Sequence, residues 1–285
     1  MKFIKLIRFD MHNGFSKIWK KILAVTVLTL LLCLYFTLCL NSFHGGQAFA
    51  HEKFQPSSFA DAVFFIFGGM GKYVPQPDAP FIFPVTWILL CISLLRMTLE
   101  YAYNDLQTYG QQLLIRTGTR TAWWLSKCLW NIICVVGFFI FMWIVIFLYC
   151  AVTQIPLNMT LHADILTNTL NTAAISGPAI SYKMLLSVFL VTPLILLALS
   201  LLQMTLTLFV QPIYSFCMIT AVLVVSAYWQ SPLLPGNYAM PVRSSQYTSD
   251  GVSLTVGLLY AGAMIVGTIL IGLVRFRHYD ILQKE

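Results

Sequence analysis

Charged side chains are scarce in this sequence. Asp, Glu, Lys and Arg make up 9% of its 285 residues, against roughly 25% in a soluble domain. Hydrophobic residues reach 59%. Such a chain cannot cover a water-facing surface, which excludes a soluble fold and leaves an all-α integral membrane protein. Acidic residues are the scarcest, 10 against 17 basic. The net charge of +7 is too dispersed for nucleic acid, so no nucleic-acid partner is expected, and the excess sets orientation in a membrane instead. The seven cysteines form no CxxC pair and no extracellular cluster. A disulfide framework is excluded, and small apolar packing residues remain. No cleavable signal peptide is read, because the first apolar run follows Lys20 and Lys21 and is too long for a signal core.

Catalytic and cofactor motifs are lacking too. "FGGMGKY" resembles a phosphate loop, but position 66 is Ile and position 73 is Tyr, where the motif needs Gly and Ser or Thr. "HEKFQ" begins like a zinc-protease helix, but Gln55 stands where the second His ligand belongs. Ser176-Gly177 follows Ala174 rather than Gly, and none of the five histidines lies in a long apolar run. No catalytic constellation, metal site or nucleotide site is read, so the chain is not expected to be an enzyme or to bind a cofactor. Ionisable groups inside the apolar runs are few, which argues against a secondary transporter. Gln203 is polar at depth and is read as making an interhelical hydrogen bond rather than binding a substrate.

What is present is apolar length. Six stretches approach the twenty or so residues that cross a bilayer: about 22–43, 81–99, 129–153, 184–210, 213–229 and 254–274. Pro193 is expected to disturb the fourth. With the N-terminus inside, 13 of the 17 basic residues fall on the cytoplasmic side and 4 outside. That bias supports six spans with both termini cytoplasmic in the plasma membrane. Phe3, Ile4, Ile7 and Met11 recur at helical spacing among Lys2, Lys5 and Arg8, which predicts an amphipathic interfacial helix over 1–19 that Asn13-Gly14 can end. "FADAVFFIFGGM" is too short to cross and is expected to lie flat or dip into the membrane. The Pro-, Gly- and Ser-rich stretch 230–253 is expected to be an ordered cap or a loop.

The stretch "LLIRTGTRTAWWLSKCLW" (113–130) is the exception to this apolar character. It falls in the cytoplasmic segment 100–128 between spans two and three. Thr119 suits an N-cap and predicts a short helix there. Trp123 and Trp124 with Arg116 and Arg120 have the composition of a protein–protein hot spot. Arg96 and Glu100 are spaced to pair along one helix face, as an anchor or a relay from that segment.

Leu113, Leu114, Arg116, Thr119, Arg120 and Lys127, with Gly110 nearby, resemble the Leu-Leu-x-Arg-x-x-Ser-Arg…Lys pattern of ABC-2 type (type V fold) permeases, with Thr in place of Ser. The tandem Trp pair and "LLPGNYAMPVRS" look like the branch found beside bacteriocin and lantibiotic self-protection genes. The resemblance implies a six-span permease subunit of an ATP-driven exporter of amphipathic peptides, lipids or lipid-linked molecules. Its segment around Arg116, Thr119, Arg120, Trp123, Trp124 and Lys127 would be a coupling helix docking on a separate ABC ATPase subunit that carries ATP and Mg. A second permease, identical or paralogous, and membrane lipid would be its other partners. The residues leave one alternative open, a non-transporting membrane immunity or scaffold protein that binds a peptide or partner at its outer loops.

Overall fold

The computed structural model describes residues 2–50, 57–73, 81, 83–107, 110, 114, 120–170, 182–248 and 250–278. Its helices are α1 (Lys2–Ala50), α2 (Phe59–Phe67), α3 (Val85–Thr98), α4 (Tyr101–Gln107), α5 (Arg120–Val152), α6 (Ala163–Thr169), α7 (Tyr182–Leu206), α8 (Pro212–Tyr228), α9 (Pro235–Tyr238) and α10 (Leu254–Arg277). Among the described residues there is no strand, only a lone bridge between Ser244 and Val252. Five helical stretches among the described residues are long and apolar enough to cross a membrane: Ile18–Ser42, Val85–Gln107, Arg120–Val152, Tyr182–Leu206 and Leu254–Arg277. The apolar α8 has 17 residues, about 26 Å and the short end of the spanning range. The protein is thus an all-α, multi-pass membrane protein.

Long-range bonds fix which helix ends lie together. Arg120 Nη1 donates to the Arg277 carbonyl at 2.8 Å, and Lys21 Nζ approaches Glu100 at 3.8 Å. The starts of α1 and α5 and the ends of α3 and α10 therefore share one end, the basal end. At the opposite, distal end the Phe59 amide bonds to Pro156 O at 2.9 Å, and Arg243 bonds to the end of α8. Large apolar side chains such as Leu23, Leu38, Leu148, Leu259 and Leu270 face outward along the shaft, as a lipid solvent permits.

The first helix corrects the sequence reading. There is no separate interfacial helix over 1–19, because Asn13-Gly14 lies inside a single 49-residue helix. Leu6, Asp10, Gly14, Ile18, Val25, Leu32, Phe36 and Leu40 form one buried face, and α1 packs along α5. A Cβ on Gly14 would stand 2.1 Å from Trp130 Nε1, so glycine lets the helices touch there. That tertiary contact outweighs glycine's helix penalty of about 1 kcal/mol. Of the apolar stripe read there, Ile4 is exposed and Ile7 and Met11 are half-buried.

The expected short coupling helix is likewise absorbed. Arg120–Val152 is one helix of 33 residues, about 50 Å long. It carries no proline, and its one glycine, Gly137, meets open space. The disturbance expected at Pro193 takes the form of a π-turn over Ser187–Val191. The widened turn makes room for a residue that lacks an N–H, and Thr192 Oγ1 bonds back to Ser187 O at 3.1 Å. The short helix α2 is buried at all nine residues, packed against α1, α3, α5 and α6. Eight of its nine residues are apolar, Asp61 being the exception, and so apolar a helix belongs in a core. All seven cysteines are unpaired, and Gln203 Nε2 donates to Leu95 O of α3 at 3.1 Å, the expected interhelical bond.

Candidate functional site: a buried ionic joint at the basal end

Lys127 sits two turns into α5, and its burial is nearly complete. Its ammonium pairs with Asp10 of α1 and, at 2.7 Å, with Asp105 of α4. Each carboxylate has further donors. Tyr101 Oη donates to Asp10 Oδ1 at 2.9 Å, Ser126 Oγ donates to Asp10 Oδ2, and Trp123 Nε1 donates to Asp105 Oδ2 at 3.2 Å. The ammonium also lies 4.7 Å from the Tyr101 ring centre and 5.1 Å from that of Trp123. Two carboxylates, one ammonium and three neutral donors thus form a closed network. Charge removed from water survives only with such pairing.

Aromatic packing surrounds the network. Tyr101 stacks on Trp130 at 3.9 Å, Trp123 stacks on Phe276 of α10 at 4.7 Å, and Trp124 Nε1 donates to Ile269 O at 3.2 Å. A Cβ on Gly272 would stand 2.1 Å from Trp124, so α10 approaches that ring as only glycine allows. Four elements, α1, α4, α5 and α10, are fastened at one place.

This arrangement corrects two sequence expectations. Trp123 and Trp124 do not offer an exposed apolar docking surface: at 2% and 1% exposure they fill the chain's own core. Their large ring area gains more from burial against Phe276 and Gly272 than from remaining open. The basal end is also not poor in buried ionisable groups, since Asp10, Asp105 and Lys127 meet there. Asp10, Tyr101, Asp105 and Ser126 escaped the sequence reading. A signal existed: Asp10 is the one acid among residues 1–51, and Asp105 the one acid between Glu100 and Asp164. Arg116 and Thr119 lie outside the described residues. Arg96 and Glu100 do pair, at 2.7 Å, and Lys21 joins them. They stand apart from the joint, with Lys21 some 16 Å along α1 from Asp10.

A family model described as "Protein of unknown function (DUF2705)" matches residues 47–282. The chain belongs to the DUF2705 family. No curated protein and no solved structure matches it. The DUF2705 match contains Tyr101, Asp105, Trp123 and Lys127 and begins beyond Asp10.

Two polar centres mark the distal end. Asp61 of α2 is fully buried and accepts from the Ser58 amide at 2.9 Å, the His162 amide at 2.8 Å and His162 Nδ1 at 2.6 Å. Ser58 and Asp61 form a reciprocal capping box at the start of α2. Burial raises the Asp61 carboxyl above the ordinary carboxylate range, against the hydrogen bonds from His162 and Ser58, which lower it. The folded state therefore holds this proton more tightly than the unfolded chain. Asp61's contribution to stability is full below the ordinary carboxylate pKa and is lost as pH rises through the raised value. The melting-temperature advantage of wild type over Asp61→Asn should accordingly be larger at pH 4 than at pH 7. An unchanged difference between the two would contradict the assignment.

Arg243, buried in the 230–253 segment, has no carboxylate partner among the described residues. Its guanidinium donates to the carbonyls of Met70 at 3.0 Å, Gly71 at 3.1 Å, Ala227 at 2.6 Å and Ser226, and to Asn237 Oδ1. Burial pushes its pKa down to about 10. The glycine loop "FGGMGKY" thus turns carbonyls toward a cation, opposite to a phosphate loop, which presents amides. The described residues of 230–253 form an ordered cap, one of the two forms expected.

Proposed function

We propose that this DUF2705 chain is a transmembrane permease subunit of an ATP-driven exporter of the ABC-2 type. It would move an amphipathic peptide, lipid or lipid-linked molecule out of the cytoplasm or inner leaflet. ATP and Mg would be bound by a separate ABC ATPase subunit. The reading places the basal end in the cytoplasm, counts α8 as a sixth span, and pairs the chain with a second permease, identical or paralogous, in the bacterial plasma membrane.

The observation that carries the reading is the joint at Lys127. The basic motif runs into α5, from Arg120 at its start to Lys127 two turns in, and α5 continues without a break to the distal end. A push on the segment before Arg120 would move α5 as a rod. Lys127, through Asp10 and Asp105, would carry α1 and α4 with it, and Trp123 and Trp124 would engage α10. Coupling needs such a rigid path from a docking point to several helices. In this reading the tryptophans transmit force inward, while Arg116 and Arg120 face the ATPase and Arg96–Glu100 relays to Lys21. A second reading, a non-transporting immunity or scaffold protein, draws support from the ordered distal cap held by Arg243.

Purification from native membranes separates the two. The exporter reading expects an ABC ATPase to co-purify and its turnover to fall at least about tenfold in Arg116→Glu/Arg120→Glu, with the permease still monodisperse. A chain recovered without any ATPase, yet binding a peptide, overturns it. Trp124→Ala is an unsuitable probe, because it would open a core cavity.

A further inference from the structure

At the distal end a cavity of about 320 Å³ lies between the cap, the loop after α2 and the start of α10. That is the lower end of the range for small-molecule sites. Lys72, Gln230, Tyr238, Asp250, Ser253 and Val256 line it. Lys72 and Asp250 stand 3.4 Å apart with their side chains 52% and 74% exposed, so each can exchange its partner for a ligand group of the same sign. Gln230 Nε2 holds the Asp250 carbonyl at 2.9 Å and fixes the wall. Apolar surface continues from the cavity. Val256 on its wall is 47% exposed, Leu259 one turn along α10 is 75% exposed, and Leu233 of the cap is 81% exposed. Tyr228 and Trp229, also exposed, stand at the same end of the bundle, where amphipathic rings favour the headgroup layer.

We propose that this cavity binds the headgroup of a zwitterionic phospholipid with a primary ammonium, phosphatidylethanolamine in chemical type. The phosphate sits at Lys72, beside the first turn of α10, whose amides the Ser253 side chain does not cap. The ammonium donates to Asp250, and the acyl chains run along Val256 and Leu259. A purely anionic headgroup meets Asp250, and a purely cationic ligand meets Lys72. A quaternary ammonium has no N–H for the carboxylate and favours an aromatic cage, which one tyrosine does not make. The site is independent of any ATPase and of the orientation of the chain.

Native mass spectrometry of the full chain in detergent tests this, with phosphatidylethanolamine, phosphatidylcholine and phosphatidylglycerol added separately. The expected result is a one-to-one adduct with phosphatidylethanolamine that outlasts the other two lipids and weakens at least about tenfold in Lys72→Gln/Asp250→Asn. The swap Lys72→Asp/Asp250→Lys keeps the ion pair and the melting temperature but reverses its polarity, and is expected to lose the adduct. Equal retention of the three lipids, an adduct unchanged in the swap, or displacement of the lipid by a short linear peptide would each overturn the proposal.

Discussion

Lys127→Met is expected to destabilise the protein by about 3–5 kcal/mol, because it leaves Asp10 and Asp105 buried together without their cation. Thermal unfolding in detergent should show a Tm lower by roughly 10 °C. The cause can be separated from lost packing. Methionine fills much of the lysine's volume, so the penalty should come from uncompensated charge. Adding Asp10→Asn and Asp105→Asn makes the whole cluster neutral and should recover most of the loss, since a neutral cluster of similar shape avoids desolvating ions. Were the triple variant as unstable as Lys127→Met alone, charge pairing would not be what holds the joint. The same triple variant bears on function. Under the exporter reading proposed above, a neutral joint that folds but transmits less should leave ATPase assembly intact and lower transport per ATP.

Arg243→Met is the second large effect. It leaves the carbonyls of Met70, Gly71, Ser226 and Ala227 and the Asn237 amide oxygen without their shared donor. Each unmade buried bond costs on the order of 1–3 kcal/mol, and relief of a buried charge offsets part of the sum. A net loss of about 3 kcal/mol is expected, with the 230–253 cap released from the loop at 68–71. Labelling of a cysteine placed at the buried Ser244 reports that release as faster modification. Arg243→Lys should rescue little, because three donors on one nitrogen cannot span a fan of five acceptors. Full rescue by lysine would show that charge alone, rather than the planar fork, holds the cap.

Much of the helix layout was legible because bilayer thickness imposes a length on apolar runs. The runs read at 129–153, 184–210 and 254–274 sit inside or within a few residues of helices at 120–152, 182–206 and 254–277. The Arg96–Glu100 pair and the Gln203 bond were legible for local reasons, one from i,i+4 spacing and the other from the cost of a polar group at depth. The joint was not legible. Asp10 lies 91 residues before Tyr101 and 117 before Lys127. At the N-terminus the helical periodicity did mark a helix, but Asn13-Gly14 does not end it, and the buried face of α1 is the one carrying Asp10 and Gly14.

Taken by itself, the amino-acid order determined the solvent and the class: too little charge for water, and apolar runs long enough for a membrane. Those properties are additive along the chain and need no knowledge of neighbours. Only the tertiary structure decided that Trp123 and Trp124 turn inward, that Gly14 is a contact rather than a stop, and that a lysine within a basic segment is buried between two aspartates. Each of these depends on which helices touch. The energy of a buried charge or a tightly packed ring is set by its partner, and the partner is chosen by the fold.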